Sequence, residues 1–374
     1  MVKILSACFD AGPANNVGPV VQVLRQRGVE VISYAVGPAT DALAKAGIEF
    51  LPYTTAEEAL DSCGEIDLFY GAIDCNDRLP SLEVVREMKR RGITCPVNLQ
   101  TDFWGSGIYK KDDWSTIVPT GVFCNDKLDA ELAHITFPRM PISDTFIEGW
   151  PYLDGYNCEL TEIDALGKRT REGLAIGSDE TVVLFAGQLN RTGEVFAELV
   201  AGIIEANQPV TLIARQHPAM LLERDKDGKW EHEREEWKVA CASFARWDKG
   251  KYLDCTGPAY NVRDLIAASD LITGAFTTTL IESAAWRKQN LALLFPKTGM
   301  QEWLDVTKGL MGGFPLCELG ACGYADSLDE LTRLLSLGYS GKLGEQLMPN
   351  QIEHIKANGG NAERIADEIM RQFM

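Results

Sequence analysis

Apolar and polar positions alternate along this chain in two rhythms. Short apolar runs, typical of buried strands, are followed by segments in which apolar residues recur every three or four positions, as in amphipathic helices. This order predicts βαβ units and a parallel sheet. The predicted strands cover residues 2–8, 29–34, 68–70, 96–99, 121–124, 181–187, 210–214, 252–254, 271–273 and 291–295. The predicted helices cover residues 20–27, 41–46, 81–91 (capped by Ser81 and ended by Gly92), 164–173, 194–206, 262–268 and 278–286.

The alternation of strand and helix patterns is interrupted around residues 149–156, and the next strand pattern is the apolar run that begins at Thr181. A chain of 374 residues exceeds the size of most single hydrophobic cores. We therefore place a hinge at residues 150–165 and predict an α/β fold with two Rossmann-like domains that face each other across a cleft. Ligands of such open sheets bind outside the carboxyl ends of the strands, so the loops there are the candidate sites.

Charge and hydropathy weigh against two classes of partner, nucleic acids and membranes. The formal net charge of -18 weighs against the basic face that nucleic-acid binding requires. No apolar run reaches the roughly 18 residues that span a bilayer, and the first strand begins at once, without the flank of a signal peptide. We expect a cytoplasmic protein with no transmembrane segment, in which a local site holds any anionic ligand.

The ten cysteines are scattered, and none has the close two-residue spacing of a zinc knuckle or a redox motif. Cys317 and Cys322 are the closest pair, but no cluster of further cysteines or histidines lies beside them. We predict reduced cysteines and no metal site.

The segment from Ala268 to Ala285 reads as a buried strand, a turn of small residues and a helix start. Thr277, Thr278 and Thr279 place hydroxyls and free amides where the helix begins. A helix start carries unpaired N–H groups and about half a positive charge, so phosphate suits it. Glu282, one turn further on, is an acceptor suited to a pair of ribose hydroxyls. An ordinary turn capped by threonine is the alternative interpretation.

Residues 9–19 are predicted to form the loop between the first strand and the first helix. Gly12 and Gly18 would let the backbone approach a ligand closely. The loop lacks the Gly-x-Gly-x-x-Gly pattern, so a dinucleotide site is not indicated. Asp10, at the end of the strand, is a candidate general base, with a helix or turn cap as the alternative.

Asp102 directly follows the apolar run over residues 96–99, and the aromatic pair after it could form the wall of a sugar-sized pocket. A carboxylate in such a loop can deprotonate a hydroxyl nucleophile. Ordinary turn chemistry is the alternative for this residue. Asp74 and Asp77, after the strand over residues 68–70, are weaker candidates.

In the second half, Arg215-Gln-His217-Pro follows the strand over residues 210–214. The imidazole of His217 can donate to a phosphate or act as an acid, and a structural histidine is the alternative. Asn190 and Arg191 follow the strand over residues 181–187, and the guanidinium suits a diphosphate.

A charge-dense segment between Leu222 and Trp247 is predicted to be a solvated insertion and a helix, packed down by Trp230 and Trp237. A surface for a partner or for the acceptor is the alternative, because exposed aromatic residues mark contact surfaces.

Taken in order, these motifs resemble those of GT-B-type glycosyltransferases and the related nucleotide-sugar 2-epimerases, over nearly the whole chain. The residues that carry the resemblance are Val2–Ser6 with the glycine-bearing loop, Gly149-Trp-Pro151-Tyr-Leu-Asp154, Leu184–Gln188, Arg215–Pro218, Ala268–Glu282 and Asn358–Ala366.

The resemblance implies an acceptor-binding domain over residues 1–155, a donor-binding domain over residues 156–354, and a closing helix over residues 355–374 that crosses back to the first domain. It implies that Glu282 holds the ribose, that Thr277–Thr279 meet the phosphate, and that His217 and Arg191 steady the leaving group. The implied donor-binding set is Gly187, Asn190, Arg191, Arg215, His217, Thr277, Thr278, Thr279 and Glu282. No metal and no cofactor are implied, since the nucleotide sugar is a substrate.

Two departures from the family pattern bear on activity. The peptidoglycan-type transferases carry a histidine in the first loop where this chain has Asn16, which cannot act as a base. The Arg-x-x-Thr-Glu-Arg-Pro-Glu segment of the 2-epimerases is missing after Phe295. Its absence weakens the case for a 2-epimerase.

We therefore predict a metal-independent glycosyltransferase that moves a sugar from a nucleotide-sugar donor to a hydroxyl acceptor, with Asp102 or Asp10 as the base and His217 beside the leaving group. A nucleotide-sugar 2-epimerase or hydrolase is the first alternative, and a non-catalytic nucleotide-sugar-binding protein the second. The sequence leaves open the nucleotide base, the sugar, the acceptor and whether the protein forms a homodimer.

Overall fold

A computed structural model of the protein describes residues 2–75, 78–102, 104, 106–188, 191–217, 231–257, 259–296, 304–305, 307, 310–355, 357 and 359–373. The chain forms two compact units. The N-terminal unit comprises Met1–Asn157 together with Ala357–Met374, and the C-terminal unit comprises Cys158–Lys356.

The N-terminal unit is built on a parallel seven-stranded sheet of order β3-β2-β1-β4-β5-β6-β7. Its strands are β1 (Lys3–Cys8), β2 (Glu30–Ala35), β3 (Leu51–Pro52), β4 (Leu68–Ala72), β5 (Val97–Gln100), β6 (Gly121–Cys124) and β7 (Thr145–Ile147). Its helices are α1 (Ala11–Gln26), α2 (Pro38–Lys45), α3 (Ala56–Cys63), α4 (Pro80–Arg91), α5 (Lys111–Trp114), α6 (Lys127–Thr136) and the last helix of the chain, α15 (Asn361–Arg371). Three 3-10 helices cover Ser106–Lys110, Ile142–Asp144 and Pro151–Tyr156.

Strand β1 illustrates why the strands of this unit are apolar on both faces. Ile4 packs in a cluster with Val21 of α1 and Ile365 of α15. Leu5, the next residue, packs in the opposite cluster with Val85 of α4. Because successive strand residues point to opposite faces, helices must cover both faces of the sheet.

The C-terminal unit is built on a parallel six-stranded sheet of order β10-β9-β8-β11-β12-β13. Its strands are β8 (Val182–Ala186), β9 (Val210–Arg215), β10 (Gly250–Asp254), β11 (Leu271–Gly274), β12 (Gln289–Leu293) and β13 (Gly323–Ala325). Its helices are α7 (Leu160–Gly173), α8 (Thr192–Ala206), α9 (Glu231–Arg246), α10 (Val262–Ala268), α11 (Thr278–Ala285), α12 (Pro315–Glu318), α13 (Leu328–Tyr339) and α14 (Lys342–His354).

Helix α15 begins in a clamp formed by the Gly149–Asp154 segment of the same unit. The Asp154 carboxylate accepts hydrogen bonds from the backbone N–H groups of Asn361 at 3.0 Å and Ala362 at 2.8 Å. Gly149 has φ +89°, and a β-carbon there would lie 2.3 Å from Oδ1 of Asn361. The segment at which the sequence pattern is interrupted thus holds a helix start within one unit.

The predicted loop over residues 9–19 is wrong, because α1 begins at Ala11. Gly18 lies inside this helix, where a β-carbon would fall 2.6 Å from Cδ1 of Ile48, so its small size serves packing and not ligand approach. Val17 and Val21 are buried against the sheet, and this burial outweighs the low helix propensity of the prolines, asparagines and glycines in the segment.

The predicted cap of α4 is also wrong. The N-cap position is Leu79, and Ser81 is fully buried inside the first turn. The Ser81 hydroxyl donates to the carbonyl of Ala7 at 2.7 Å and accepts from the N–H of Ala72 at 3.0 Å, so it ties β1 to β4. Gly92 ends the helix, as predicted, and it adopts the left-handed conformation.

Within the charge-dense segment, the structure describes helix α9, and Trp230 lies outside the described residues. Trp237 is 4% exposed and stacks on Phe196 of α8 with ring centroids 4.0 Å apart. Trp237 therefore packs the helix onto the core and is not available as a contact surface for a partner.

Candidate functional site

Each sheet contains one point at which the strand order reverses. In the N-terminal unit the reversal lies between β1 and β4, and in the C-terminal unit it lies between β8 and β11. Ligands of open α/β sheets bind beside such a point, outside the carboxyl ends of the strands. Four of the segments singled out in the sequence follow these strands, so we describe the side chains there in turn.

Asp10 and Asp74 tie together the two loops at the reversal in the N-terminal unit. Asp74 is fully buried, and its Oδ1 accepts from the backbone N–H groups of Phe9 at 3.0 Å and Asp10 at 2.9 Å. Asp10, 5% exposed, accepts in turn from the N–H of Cys75 at 2.8 Å. Asp10 occupies the N-cap position of α1, but its side chain makes no capping hydrogen bond.

Asp102, after the neighbouring strand β5, lies against the first turn of α1. A β-carbon on Gly12 would fall 2.2 Å from Oδ2 of Asp102, so glycine at this position makes room for the carboxylate. The carboxylate thus lies at the positive end of the helix, where acidic side chains are commonly found. Asp102 is half-buried and more accessible than Asp10.

The electrostatic surroundings differ among these three carboxylates. Burial raises the pKa of Asp74 well above its ordinary value, and the negative charges of Asp10 and Asp102 raise it further. The two backbone N–H groups that it accepts from oppose the shift. Three carboxyl groups thus lie close together, and burial favours the protonated form of Asp74. Carboxyl groups in unequal surroundings can divide acid and base roles.

Sequence reasoning missed a second buried network, at the start of α6. Asp129 accepts from the Thr101 hydroxyl and from the N–H of Asn125 at 3.0 Å. Trp104 donates its indole N–H to Asp126 at 2.6 Å. Burial, followed by the charge of Asp126, raises the pKa of Asp129 to about 8. The Asp-x-x-Asp spacing directly after a predicted strand was the available signal for this helix start.

Asn16 has a structural role. Its Nδ2 donates to the carbonyl of Thr101 at 3.2 Å, and its Oδ1 accepts from the N–H of Tyr152 at 3.1 Å. Both ends of the amide are therefore engaged, and the side chain ties α1 to the end of β5 and to the 3-10 helix over Pro151–Tyr156.

In the C-terminal unit, the start of α11 follows the central strand β11. Thr277 is the N-cap, and its Oγ1 accepts from the N–H of Thr279 at 3.4 Å. The first turn, which the structure describes in full, contains no acidic residue. Thr278 is half-buried, and Glu282 in the next turn is 3% exposed. The hydroxyl of Thr277 thus caps the positive end of this helix with a long, neutral hydrogen bond, and such an end suits an incoming anion.

The start of α8, after the other central strand β8, is arranged differently. Arg191 has φ +55°, and its backbone N–H donates to the Glu233 carboxylate. The N–H of Gly193 donates to the second oxygen of the same carboxylate at 2.8 Å. Gly187 has no room for a side chain, because a β-carbon would lie 2.7 Å from Oγ1 of Thr192. Asn190 lies outside the described residues.

Arg215 and His217 follow β9. The Arg215 guanidinium donates to the carbonyls of Cys255 at 3.3 Å, Gly257 at 3.3 Å and Tyr260 at 2.8 Å, so it anchors the loop after β10. Burial lowers the pKa of Arg215, and the negative charge of Glu282 opposes the shift, which sets these two groups within electrostatic reach.

Burial, followed by the charge of Arg215, lowers the pKa of His217. The imidazole is therefore neutral at pH 7, and a neutral imidazole is suited to donating a hydrogen bond more than to giving up a proton.

The structure thus brings Asp10 and Asp102 together with Asp74, and it sets Arg215 within electrostatic reach of Glu282. Asp77 lies outside the described residues. Among the residues that are described, no group of three or more His, Cys, Asp or Glu side chains is arranged to hold a metal ion. No helix in the described part of the chain is long and apolar enough to cross a membrane.

No model of a protein family and no curated protein sequence matches this chain. Solved structures do match it. The UDP-GlcNAc 2-epimerase of Neisseria meningitidis, bound to UDP-GlcNAc, has a TM-score of 0.66 at 11% identity and covers 99% of this chain and 100% of that chain. A glycosyltransferase from Rickettsia africae has a TM-score of 0.63 at 13% identity, over 99% and 98%. HepE from Anabaena, in complex with UDP and glucose, has a TM-score of 0.64 at 14% identity, over 99% and 100%.

At these identities the likeness establishes the fold. The chain has the fold of GT-B glycosyltransferases and 2-epimerases, and the predicted α/β class with two Rossmann-like domains is confirmed.

Proposed function

We propose that this protein is a nucleotide-sugar-dependent enzyme that transfers the sugar to a hydroxyl acceptor without a metal ion. The observation that carries the proposal is the start of α11, where Thr277 is the cap, no acid lies in the first turn, and Glu282 is buried one turn further on. Structures with this fold hold UDP-GlcNAc, or UDP and glucose. A donor of this class contains both a phosphate, which suits the helix start at Thr277, and a ribose, whose hydroxyls suit Glu282.

The donor would bind to the C-terminal unit. The amides and hydroxyls of Thr277, Thr278 and Thr279 would hold a phosphate, and Glu282 would accept from the ribose hydroxyls. The neutral imidazole of His217 would donate to the leaving diphosphate. Preorganised donors of this kind stabilise the charge that develops as the glycosidic bond to phosphate breaks, commonly by several kcal/mol.

The acceptor would bind to the N-terminal unit, and Asp102 would remove the proton from its hydroxyl. Asp102 is more accessible than Asp10, whose carboxylate is engaged by the N–H of Cys75. Asp10 would then orient the loop, although it remains the second candidate for the base. General-base catalysis of this type contributes roughly 10²- to 10⁴-fold to the rate.

Epimerisation or hydrolysis of the nucleotide sugar is the second candidate function. The observation in its favour is that Asp74, whose pKa is raised by burial, lies beside Asp10 and Asp102, since epimerisation requires one group that takes a proton and another that returns it. Incubating a sugar nucleotide without acceptor separates the two activities. A new sugar or free nucleotide would favour epimerisation or hydrolysis, whereas turnover that depends on an added acceptor would favour transfer.

The first test is a thermal-shift panel of UDP, GDP, CDP, CMP and dTDP compounds, followed by calorimetry with the nucleotide that stabilises the protein. At about 100 times the dissociation constant a bound nucleotide adds roughly 2.7 kcal/mol to the free energy of unfolding. We expect Glu282→Ala to weaken the affinity at least tenfold, because the hydrogen bonds to the ribose are lost. Glu205→Ala, an exposed position at the far end of α8, is the control. Unchanged affinity of Glu282→Ala for every nucleotide tested would refute the donor site.

A further inference from the structure

Glu233 occupies the start of α8 in the manner of a bound anion. Its two carboxylate oxygens accept from two backbone N–H groups of the turn, those of Arg191 and Gly193. The residue is 8% exposed, so this charge is largely removed from water. Two amides that converge on two oxygens at the positive end of a helix are also how proteins hold a phosphate group.

The hydroxyl of Thr192, in the same turn, indicates that the turn can bind a further hydrogen-bond acceptor. Thr192 lies between the two amide donors, is fully buried, and its hydroxyl has no hydrogen-bond partner among the described residues. The hydroxyl faces Gly187, on the other side of the turn. A buried hydroxyl without a partner costs about 1 to 3 kcal/mol, and a phosphate oxygen could accept from it.

Release of the two amides by Glu233 would require rotation of its side chain, because its helix is held in place. The backbone of α9 is fixed against α8, because Trp237 stacks on Phe196 and the carbonyl of Glu233 lies 2.3 Å from where a β-carbon of Gly193 would be. The carboxylate is therefore delivered by a rigid helix, but it is held in place by the two amides alone among the contacts described.

We propose that Glu233 is an affinity-determining residue that competes with the phosphate groups of the donor for the start of α8. In the free protein its carboxylate holds the amides of Arg191 and Gly193, and a phosphate reaches them when the side chain turns away. This inference rests on the proposed function for the identity of the natural competitor, although the competition itself can be tested with a simple anion.

The experiment compares Glu233→Gln with the wild-type protein by calorimetry, with inorganic pyrophosphate and UDP as probes. Glutamine keeps the size of the side chain but removes its charge and turns an N–H group toward one of the amides. We expect pyrophosphate to bind at least fivefold more tightly to the variant, within the range typical of coupling between two ligands. Glu235→Gln is the matched control, because it removes one charge from an exposed position of the same helix.

Unchanged or weaker pyrophosphate binding in Glu233→Gln would overturn the proposal and leave Glu233 as a structural cap. If the variant does not fold, Glu233→Asp, which withdraws the carboxylate by one methylene, must show the same gain. Tighter pyrophosphate binding without binding of any sugar nucleotide to either protein would support the competition and refute the proposed function. Hydrogen exchange at the amides of Arg191 and Gly193 provides a second readout, since pyrophosphate should alter their protection.

Discussion

Two helix starts follow the two central strands of the sheet in the C-terminal unit. They differ in the charge of the group that accepts from their free amides. At α8 the free amides are held by the carboxylate of Glu233, which comes from another helix 40 residues further along the chain. At α11 the cap is the neutral hydroxyl of the helix's own Thr277. The protein thus supplies its own anion at the start of α8 but not at the start of α11. This difference predicts that an anionic ligand binds first at α11.

The largest effect is expected when an acidic residue is placed in the first turn of α11. Thr278→Glu should weaken the affinity for UDP or pyrophosphate about 100-fold, because two negative charges about 5 Å apart near a protein surface repel each other by roughly 3 kcal/mol. The stability of the helix should not decrease, since an acidic side chain in the first turn interacts favourably with the helix dipole. Calorimetry is the measurement, and Thr278→Gln is the neutral control of matched size. Full affinity in Thr278→Glu would show that phosphate does not bind at α11.

A smaller effect should come from Asp154, which holds the start of α15 as Glu233 holds that of α8. Asp154→Asn should lower the free energy of unfolding by about 1 to 2 kcal/mol, because one amide of the turn then faces an N–H group. Urea denaturation measures the loss. Pyrophosphate affinity should stay the same, in contrast to Glu233→Gln. A gain in affinity here as well would show that any loss of an internal carboxylate produces the effect.

The last expected change is measured per pH unit and concerns a carboxyl group that is buried beside a helix start and held neutral. Since the pKa of Asp129 is raised to about 8, the folded protein keeps a proton that the unfolded chain loses above roughly pH 4. The contribution of this group to stability therefore falls as the pH rises from 4 to 8, by at most about 1.4 kcal/mol per pH unit.

Asp129→Asn removes this dependence while keeping an oxygen for the Thr101 hydroxyl and the N–H of Asn125. Urea denaturation at pH 5, 6, 7 and 8 should show the wild-type protein losing stability relative to the variant at each step. Parallel curves would mean that Asp129 is ionised in the folded protein at neutral pH.

Periodicity was sufficient to predict the class of fold and the strand ends that carry the candidate residues, because buried strands and amphipathic helices leave regular apolar patterns. It failed at the start of α1, where Pro13, Asn16 and Gly18 are poor helix formers. Burial of Val17 and Val21 against the sheet decides the conformation there, and that packing depends on residues distant in sequence.

The candidate site was less accessible to prediction for the same reason. Asp102 was found because it follows a strand, but its contact with the first turn of α1 joins segments 90 residues apart. Glu233 leaves no local signal, because it lies within a run of charged residues and its role is defined by the turn that it reaches. Local sequence therefore shows where a helix begins, and long-range contacts decide what fills its positive end.

The clamp between Asp154 and α15 has a consequence for how the gene can be divided. The N-terminal unit needs Asn361 and Ala362, which are translated after the whole of the C-terminal unit. A stop codon placed at the linker after Asn157 would produce a sheet whose Ile4 face has lost the cover of Ile365 and Ile369. The C-terminal unit, in contrast, is encoded without interruption from Cys158 to Lys356. It is thus the half to express alone, and a circularly permuted gene is the route to the other.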